Sequence, residues 1–365
     1  MKKPLVRFTD PAVLSLALMM MLAGAIAGAA DSECSGSGDY SFVCGPRNAE
    51  DLVRVPGSKW LIASGMAADA AIYLIDSRRK TWMELYPADA PRARQDTARY
   101  ASCPGAPDPA SFVSHGLNLR QGIDGQSTLY VVGHGGREAI EVFTVNAQGD
   151  APVLTWIGCV LTPGGMEANS VASLADGSLL ATIPLHKGAS IGDALAGKPT
   201  GGVYRWSPGE KDFTLVQGSE LPYANGIEIS ADEREFYVAS SGLLTVAAFS
   251  TSNPTRLLRS SESLAFIPDN LHMGSGGRLI TAGLNVVDPV CGNVAQSAEF
   301  SLEKFASCPR PFTVLAIDPQ SMQGEILASG PANRNFSNVT MALEVEGELW
   351  IGTFAGDRIG YRLSR

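Results

Sequence analysis

The sequence predicts an all-β chain folded as a six-bladed β-propeller, and three observations carry that prediction. First, a segment of one design recurs six times in different words. It begins at Asn48 (NAEDLVRVPGSKWLIASG), Ser114 (SHGLNLRQGIDGQSTLYVVGH), Glu167 (EANSVASLADGSLLATI), Tyr223 (YANGIEISADEREFYVAS), Ile267 (IPDNLHMGSGGRLITAG) and Ser337 (SNVTMALEVEGELWIGTF). Each runs through short apolar alternation, turns at a Gly, Asp or Ser, and returns as a β-rich apolar run. Second, Glu50, His115, Asn169, Asn225, Asp269 and Asn338, taken as markers, stand 65, 54, 56, 44 and 69 residues apart, spacings that suit repeated units of short strands. Third, 39 Gly and 22 Pro accompany no long stretch of helical periodicity. A chain of 365 residues exceeds the usual size of a single core. A ring of blades escapes that limit because each blade packs only on its neighbours.

Taken in order, the clearest strands are expected at 127–132, 141–145, 178–183, 235–239 and 348–353, where alternation is strongest. Turns are expected between them, at 122–125, Asp176-Gly177, Asp232-Glu233, 274–277 and Glu346-Gly347. Three insertions interrupt the rhythm, at 87–112, 185–200 and 287–311. In a propeller these become loops on a face, where substrate recognition is expected.

The N-terminus reads as an address. Lys2, Lys3 and Arg7 precede an apolar stretch at 12–27 that ends in Ala27-Gly28-Ala29, a small-residue cleavage pattern. We expect a signal peptide over residues 1–29 and an exported (periplasmic or secreted) mature domain over 30–365; an uncleaved anchor is the alternative. No later segment reaches membrane-spanning length. Without residues 1–29, the 28 Lys and Arg fall by three and the 37 Asp and Glu by one, leaving 25 against 36, net −11. That sign argues against nucleic acid as a partner. The six cysteines fit disulfides in an exported protein. Proximity favours Cys34–Cys44 and Cys291–Cys308, leaving Cys103–Cys159, among 15 possible connectivities.

The marker column carries the chemistry. Inner strands of a propeller run along its central channel, so equivalent strand starts converge on one axis. Glu50, Asn169, Asn225, Asp269 and Asn270 would then present carboxylate and amide oxygens to one point, the donor set of Ca²⁺. Two carboxylates balance the ion's charge, which is the least costly arrangement in a desolvated channel. Zinc is disfavoured, since the four histidines show no ligand spacing. His115 shares the column, and His134 ends the next strand of the same hairpin, so one imidazole can orient the other as a base. No nucleophile elbow, P-loop or H-E-x-x-H zinc site is expected. Asn335-Phe-Ser and Asn338-Val-Thr match the glycosylation sequon, although Asn338 falls on an expected inner strand.

At these residues the chain resembles the calcium-dependent six-bladed propellers of the paraoxonase/arylesterase family and their relatives, the gluconolactonase/senescence marker protein (regucalcin) group. The resemblance runs from about Asn48 to the C-terminus, through NAEDL, SHGLNL, VVGH, EVFTV, ANSV, YANGIEIS and IPDN. It implies that Glu50, Asn169, Asn225, Asp269 and Asn270 hold a catalytic calcium, that His115 and His134 form a dyad, and that Tyr223 stands in the pocket wall. It implies hydrolysis of lactones, with aryl esters as side substrates. A second, structural calcium of the family would fall on Asp51, Leu117 and Ser170, where the last carboxylate is missing. The family's end-to-end disulfide has no counterpart either, so blade closure must rest on strand pairing. A histidine the family carries near Leu284-Asn285 is also absent.

Three functional readings follow. The first is an exported hydrolase of lactones and aryl esters, in which calcium polarises the carbonyl and His115, oriented by His134, activates water. The second is a sugar-lactone hydrolase of the gluconolactonase type. The third is a non-catalytic, calcium-stabilised propeller that serves as a binding module.

Overall fold

A computed structural model of the chain describes residues 34–86, 92–122, 126–294 and 300–364. The expected signal peptide at 1–29 lies outside these residues, as do three of the four residues of the expected turn at 122–125. The described residues fall into two units, one ending at Phe42 and one beginning at Val43, and the candidate site belongs to the second.

That unit is built of six four-stranded antiparallel sheets. The first is β2 (Leu52–Arg54), β3 (Trp60–Ala63), β4 (Ile72–Asp76) and β5 (Thr81–Tyr86). The second is β6 (Val113–Gln121), β7 (Gln126–His134), β8 (Ala139–Asn146) and β9 (Val153–Leu161). β10 (Val171–Ser173), β11 (Leu179–Ile183), β12 (Gly202–Trp206) and β13 (Thr214–Leu215) make the third. The fourth is β14 (Ala224–Ile229), β15 (Glu235–Ser240), β16 (Thr245–Ser250) and β17 (Leu257–Ser260). In the fifth, β18 (Leu271–Met273) and β19 (Leu279–Leu284) are followed by a small hairpin, β20 (Val287–Asp288) and β21 (Gly292–Asn293), before β22 (Phe312–Ile317) and β23 (Gly324–Gly330). The sixth holds β24 (Val339–Val345), β25 (Glu348–Thr353) and β26 (Arg358–Leu363), with β1 (Ser41–Cys44) next to β26 at its edge. Strands pair in chain order within the sheets, except where the β20–β21 hairpin intervenes between β19 and β22 and where β1 joins β26, and this is the six-bladed propeller expected from the repeat.

Residue chemistry changes across each blade. Second and third strands such as β4 (IYLID) and β11 (LLATI) are buried along their whole length, because neighbouring blades cover both faces. Their runs are therefore mostly apolar rather than alternating, with Asp76 and Thr182 as buried polar exceptions. Outer strands such as β17 (LLRS) are largely exposed. Trp156, Trp206 and Trp350 fill space in the core. The ring closes without a disulfide, as expected: the Gly45 N–H donates to Asp357 O at 2.7 Å and the Asn48 N–H to Gly356 O at 2.8 Å.

The three insertions do not behave alike. Residues 185–200 carry a short helix, α1 (Ile191–Leu195), started by a Ser190–Asp193 capping box. Residues 287–311 carry the β20–β21 hairpin and a second helix, α2 (Leu302–Ser307). The described part of 87–112 instead lies against the outer strand of the second blade. Arg94 N donates to Trp156 O and Asp96 N to Ile157 O, each at 2.8 Å, and Cys103 is disulfide-bonded to Cys159 of β9. Tyr100 stacks on Trp206 with ring centroids 5.8 Å apart. Two of the three insertions, the second and third, thus contribute side chains to the cavity described below. The first is consumed in covering a blade edge.

Cys291 and Cys308 form the second described disulfide, across the last insertion. Cys34 and Cys44 are disulfide-bonded as well, and no free cysteine occurs among the described residues. This cross-linking is consistent with an exported protein. No helix among the described residues is long and apolar enough to cross a membrane.

Candidate functional site

The inner strands deliver the marker residues to one cavity of about 200 Å³. Glu50, His115, Asn169, Asn225 and Asp269 all line it, together with Tyr223. Two local devices aim them. In the β6–β7 pairing the register shifts between Ser114 and Leu117, so His115 sits in a bulge; in β14–β15 it shifts between Ala224 and Ile227, around Asn225. Such bulges rotate a side chain out of the pleat toward the channel. A glycine follows each of these residues because the neighbouring blade comes too close for a side chain. A Cβ on Gly116 would lie 2.3 Å from Asn169 O, and one on Gly226 would lie 2.5 Å from Asp269 O. The His-Gly and Asn-Gly pairs thus let one cavity-lining segment rest on the next.

Four oxygens of this group have no donor within the protein. Glu50 Oε2, Asn169 Oδ1, Asn225 Oδ1 and Asn270 Oδ1 are buried without a hydrogen-bond partner within the protein. Their amide nitrogens are employed: Asn270 Nδ2 donates to Glu50 Oε1 at 2.6 Å, and Asn225 Nδ2 to Ser241 Oγ at 3.0 Å. Bare buried acceptors are costly, and here they are grouped. Burial, then the nearby Asp51 carboxylate, drives the Glu50 pKa well above the usual carboxylate range. Burial, then Glu50, does the same for Asp269. Two carboxylates and three amides fit a hard cation that takes oxygen ligands, such as Ca²⁺. Among the described residues no group of three or more His, Cys, Asp or Glu is arranged to hold a metal.

The layer beneath behaves differently. Asp51, adjacent to Glu50, accepts from Leu52 N at 2.8 Å and His272 Nε2 at 2.6 Å on one oxygen, and from Leu117 N at 2.7 Å on the other. Burial, the largest single influence, would discharge His272, but the Asp51 carboxylate bonded to it, together with Glu228 and Glu50, outweighs burial and raises its pKa to about 9. The imidazolium is therefore the internal counter-charge of Asp51. The residues present do not fit the second ion that the resemblance implies there. Both Asp51 oxygens are engaged by protein donors, Leu117 turns its N–H inward to Asp51, and position 170 is a serine. Sequence reading missed His272, whose only signal was its place two residues after Asn270.

His115 and His134 meet as expected. The β6–β7 pairing places Val113 opposite His134, and His115 Nδ1 lies 2.9 Å from His134 Nε2. His115 Nε2 is 3.6 Å from Glu50 Oε1. Burial lowers the His115 pKa to about 4, against the opposing pull of Asp51, so the ring is neutral at pH 7. His134 Nδ1 is in turn 2.6 Å from Glu138 Oε2, a contact the sequence reading did not anticipate.

Apolar side chains form the remaining walls. Ile191 and Leu195 come from α1, Leu302 and Phe305 from α2, and Ile267 and Phe354 from the blades. Phe305 stacks on Phe354 at 6.2 Å, 5° from parallel. The last insertion is tied down by the buried Arg310, whose guanidinium donates to the carbonyls of Asn285, Val286, Cys291 and Gly292. Asn338, the sixth marker, is absent from the cavity lining. Its left-handed backbone (φ 59°) turns the side chain away, and Nδ2 donates to Ala306 O of α2 at 3.0 Å. The sixth blade thus contributes a strut for the wall rather than a cavity-lining marker.

One string went unnoticed in the sequence. Residues 188–192 read Gly-Ala-Ser-Ile-Gly, the spacing of a nucleophile elbow. Seven residues separate the end of β11 at Ile183 from α1 at Ile191, so the sharp strand-to-helix turn of an elbow is missing. Ser190 Oγ is held by Asp193 Oδ2 at 2.6 Å as a helix cap.

Comparison with known proteins agrees with this architecture. Among solved structures, a gluconolactonase from Xanthomonas campestris superimposes with a TM-score of 0.53 at 15% identity, over 89% of each chain. A luciferin-regenerating enzyme gives 0.53 at 13% identity, over 88% of this chain and 93% of that one. Regucalcin from Agrobacterium tumefaciens, a calcium-binding protein, gives 0.51 at 10% identity, over 88% and 92%. At such identities the likeness is one of fold. No curated protein matches the sequence. The SMP-30/Gluconolactonase/LRE-like region, however, matches residues 63–309, well over half of the chain. The chain belongs to the SMP-30/gluconolactonase/LRE-like family.

Proposed function

We propose that the cavity is the active site of an exported, calcium-dependent hydrolase of lactones, with aryl esters as side substrates, and that its histidine pair is of the paraoxonase kind. The observation that carries this reading is the grouping of bare oxygens from Glu50, Asn169, Asn225 and Asn270 in the channel whose cavity His115 also lines. Glu50, Asn169, Asn225, Asp269 and Asn270 would hold the ion. When bound there, calcium supplies Lewis-acid polarisation of the carbonyl oxygen and stabilises the negative charge that develops on it.

The protein's own groups do the rest. His115, kept neutral by burial, accepts a proton from water at Nε2 while its Nδ1 rests on His134. The water oxygen bonds to the carbonyl carbon and the ring C–O bond breaks. The departing ring oxygen recovers the proton from His115, and a hydroxy acid leaves. Tyr223 closes one wall, and burial holds its hydroxyl protonated, so it adds no charge.

Walls decide the substrate class. Ile191, Leu195, Ile267, Leu302, Phe305 and Phe354 present no hydrogen-bonding side chains, so they suit an alkyl or aryl substituent and offer little to a polyhydroxylated ring. The family match keeps sugar lactones as a second reading. A panel of lipophilic lactones, aryl esters and gluconolactone, run in chelator and then with calcium restored, tests both. We expect turnover only with calcium and faster on the lipophilic lactones. Faster turnover of gluconolactone would favour the second reading, and a calcium-raised melting temperature without any turnover would favour a binding module.

A further inference from the structure

We propose that Glu138 is a positioning residue for the histidine pair: it fixes the tautomer of His134 and, through it, that of His115, so that His115 presents a bare Nε2 to the cavity. This rests on reading His115 as the base of a hydrolytic site.

The inference follows from what each atom can donate. A carboxylate only accepts, so at 2.6 Å from Glu138 Oε2 the proton belongs to His134 Nδ1. A neutral imidazole has one N–H, which leaves His134 Nε2 as an acceptor. Its partner at 2.9 Å, His115 Nδ1, must then be the donor. The single N–H of His115 is thereby committed, and its Nε2, 3.6 Å from Glu50 Oε1, carries a lone pair. The opposite order, with His134 Nε2 donating to His115 Nδ1, would put a hydrogen on His115 Nε2 and abolish its use as a base. Nothing within the two rings selects between these orders; Glu138 does.

The placement of Glu138 is built. It precedes β8 by one residue, in the turn of the β7–β8 hairpin, four residues after His134. Thr162 holds its carbonyl through the backbone N–H at 3.1 Å and Oγ1 at 3.3 Å. The adjacent Arg137 is committed to Glu141 through two bonds, of 2.7 and 2.9 Å, and so leaves Glu138 to the histidine.

The test uses calcium-loaded, full-length protein and two readouts: lactone kinetics, and ¹⁵N NMR of the histidine ring nitrogens, which reports tautomers independently of turnover. Glu138→Ala is expected to lower kcat by about 100-fold, the scale of general-base catalysis, with KM and melting temperature unchanged. The protonated and bare nitrogen signals of His115 should exchange or average. Glu138→Gln keeps the volume and can offer either amide atom; it should give mixed tautomers and a smaller loss, and it serves if the Ala variant fails to fold. Wild-type kcat in Glu138→Ala with unaltered nitrogen signals would overturn the proposal while leaving the hydrolase reading intact. Full activity in His115→Gln would instead overturn the base reading. In that case the nitrogen signals alone decide the role of Glu138: changed signals uphold the positioning, and unchanged signals refute it.

Discussion

Glu50 and Asp51 are neighbours in sequence, both almost fully buried in the channel, and they end in opposite chemical states. Asp51 is saturated by three N–H groups, one of them from the His272 imidazolium. Glu50 receives a bond from Asn270 on one oxygen, and its other oxygen, like the amide oxygens of Asn169, Asn225 and Asn270, has no donor within the protein. A buried carboxylate must be neutralised or paired. Asp51 finds its cation within the chain, whereas Glu50 and Asp269 find none there, and in the function proposed above they take one from solution. The difference teaches that a ligand set is recognised less by its residue types than by which of its acceptors the protein leaves unanswered.

Breaking the lower layer should have the largest effect on stability. Asp51→Ala strands the His272 charge and the Leu117 N–H, and we expect a loss of about 3–5 kcal/mol in urea unfolding, with or without calcium. Breaking the upper layer should barely touch the calcium-free protein. Glu50→Gln is expected to weaken calcium affinity by about 100-fold or more, at or above the cost of losing an outer-shell contact, measured by calorimetric titration. In chelator its melting temperature should equal or exceed that of the wild type, because the amide replaces a carboxylate that burial already opposes.

The His272 pKa, raised from 6.5 to about 9, sharpens the contrast. A raised pKa stabilises the fold fully below the unfolded value, and that contribution is lost as pH climbs through the folded value. In chelator, wild-type stability should therefore fall between pH 6.5 and 9 more steeply than that of His272→Gln, as followed by thermal melts. The smallest effect is expected at the strut. Asn338→Asp removes the bond to Ala306 O, worth about 1 kcal/mol, and should raise KM several-fold for a long-chain lactone while kcat on a small one stays constant.

Much of this was legible in the sequence, for definable reasons. The repeat gave the blades because inner-strand starts keep their polar residue while strand interiors stay apolar, and that column brought Glu50, His115, Asn169, Asn225 and Asp269 to one cavity. Asn338 obeyed the same spacing but turned aside, since a left-handed residue before β24 reverses the side chain and no pattern in SNVT announces it. His272 and Glu138 were illegible for another reason. Each acts across blades or around a hairpin on a single partner, and one sequence carries no trace of such a pairing. The insertion at 87–112 resembled the other two in composition, and only its ties to β9 distinguish a blade cover from a pocket wall.

The most direct test is a calorimetric calcium titration of chelator-stripped protein, with lactone turnover read at each addition. One ion per chain should bind, and activity should rise in step with its occupancy. Two ions per chain would contradict the division between the layers, and full turnover in chelator would contradict the account of the site itself.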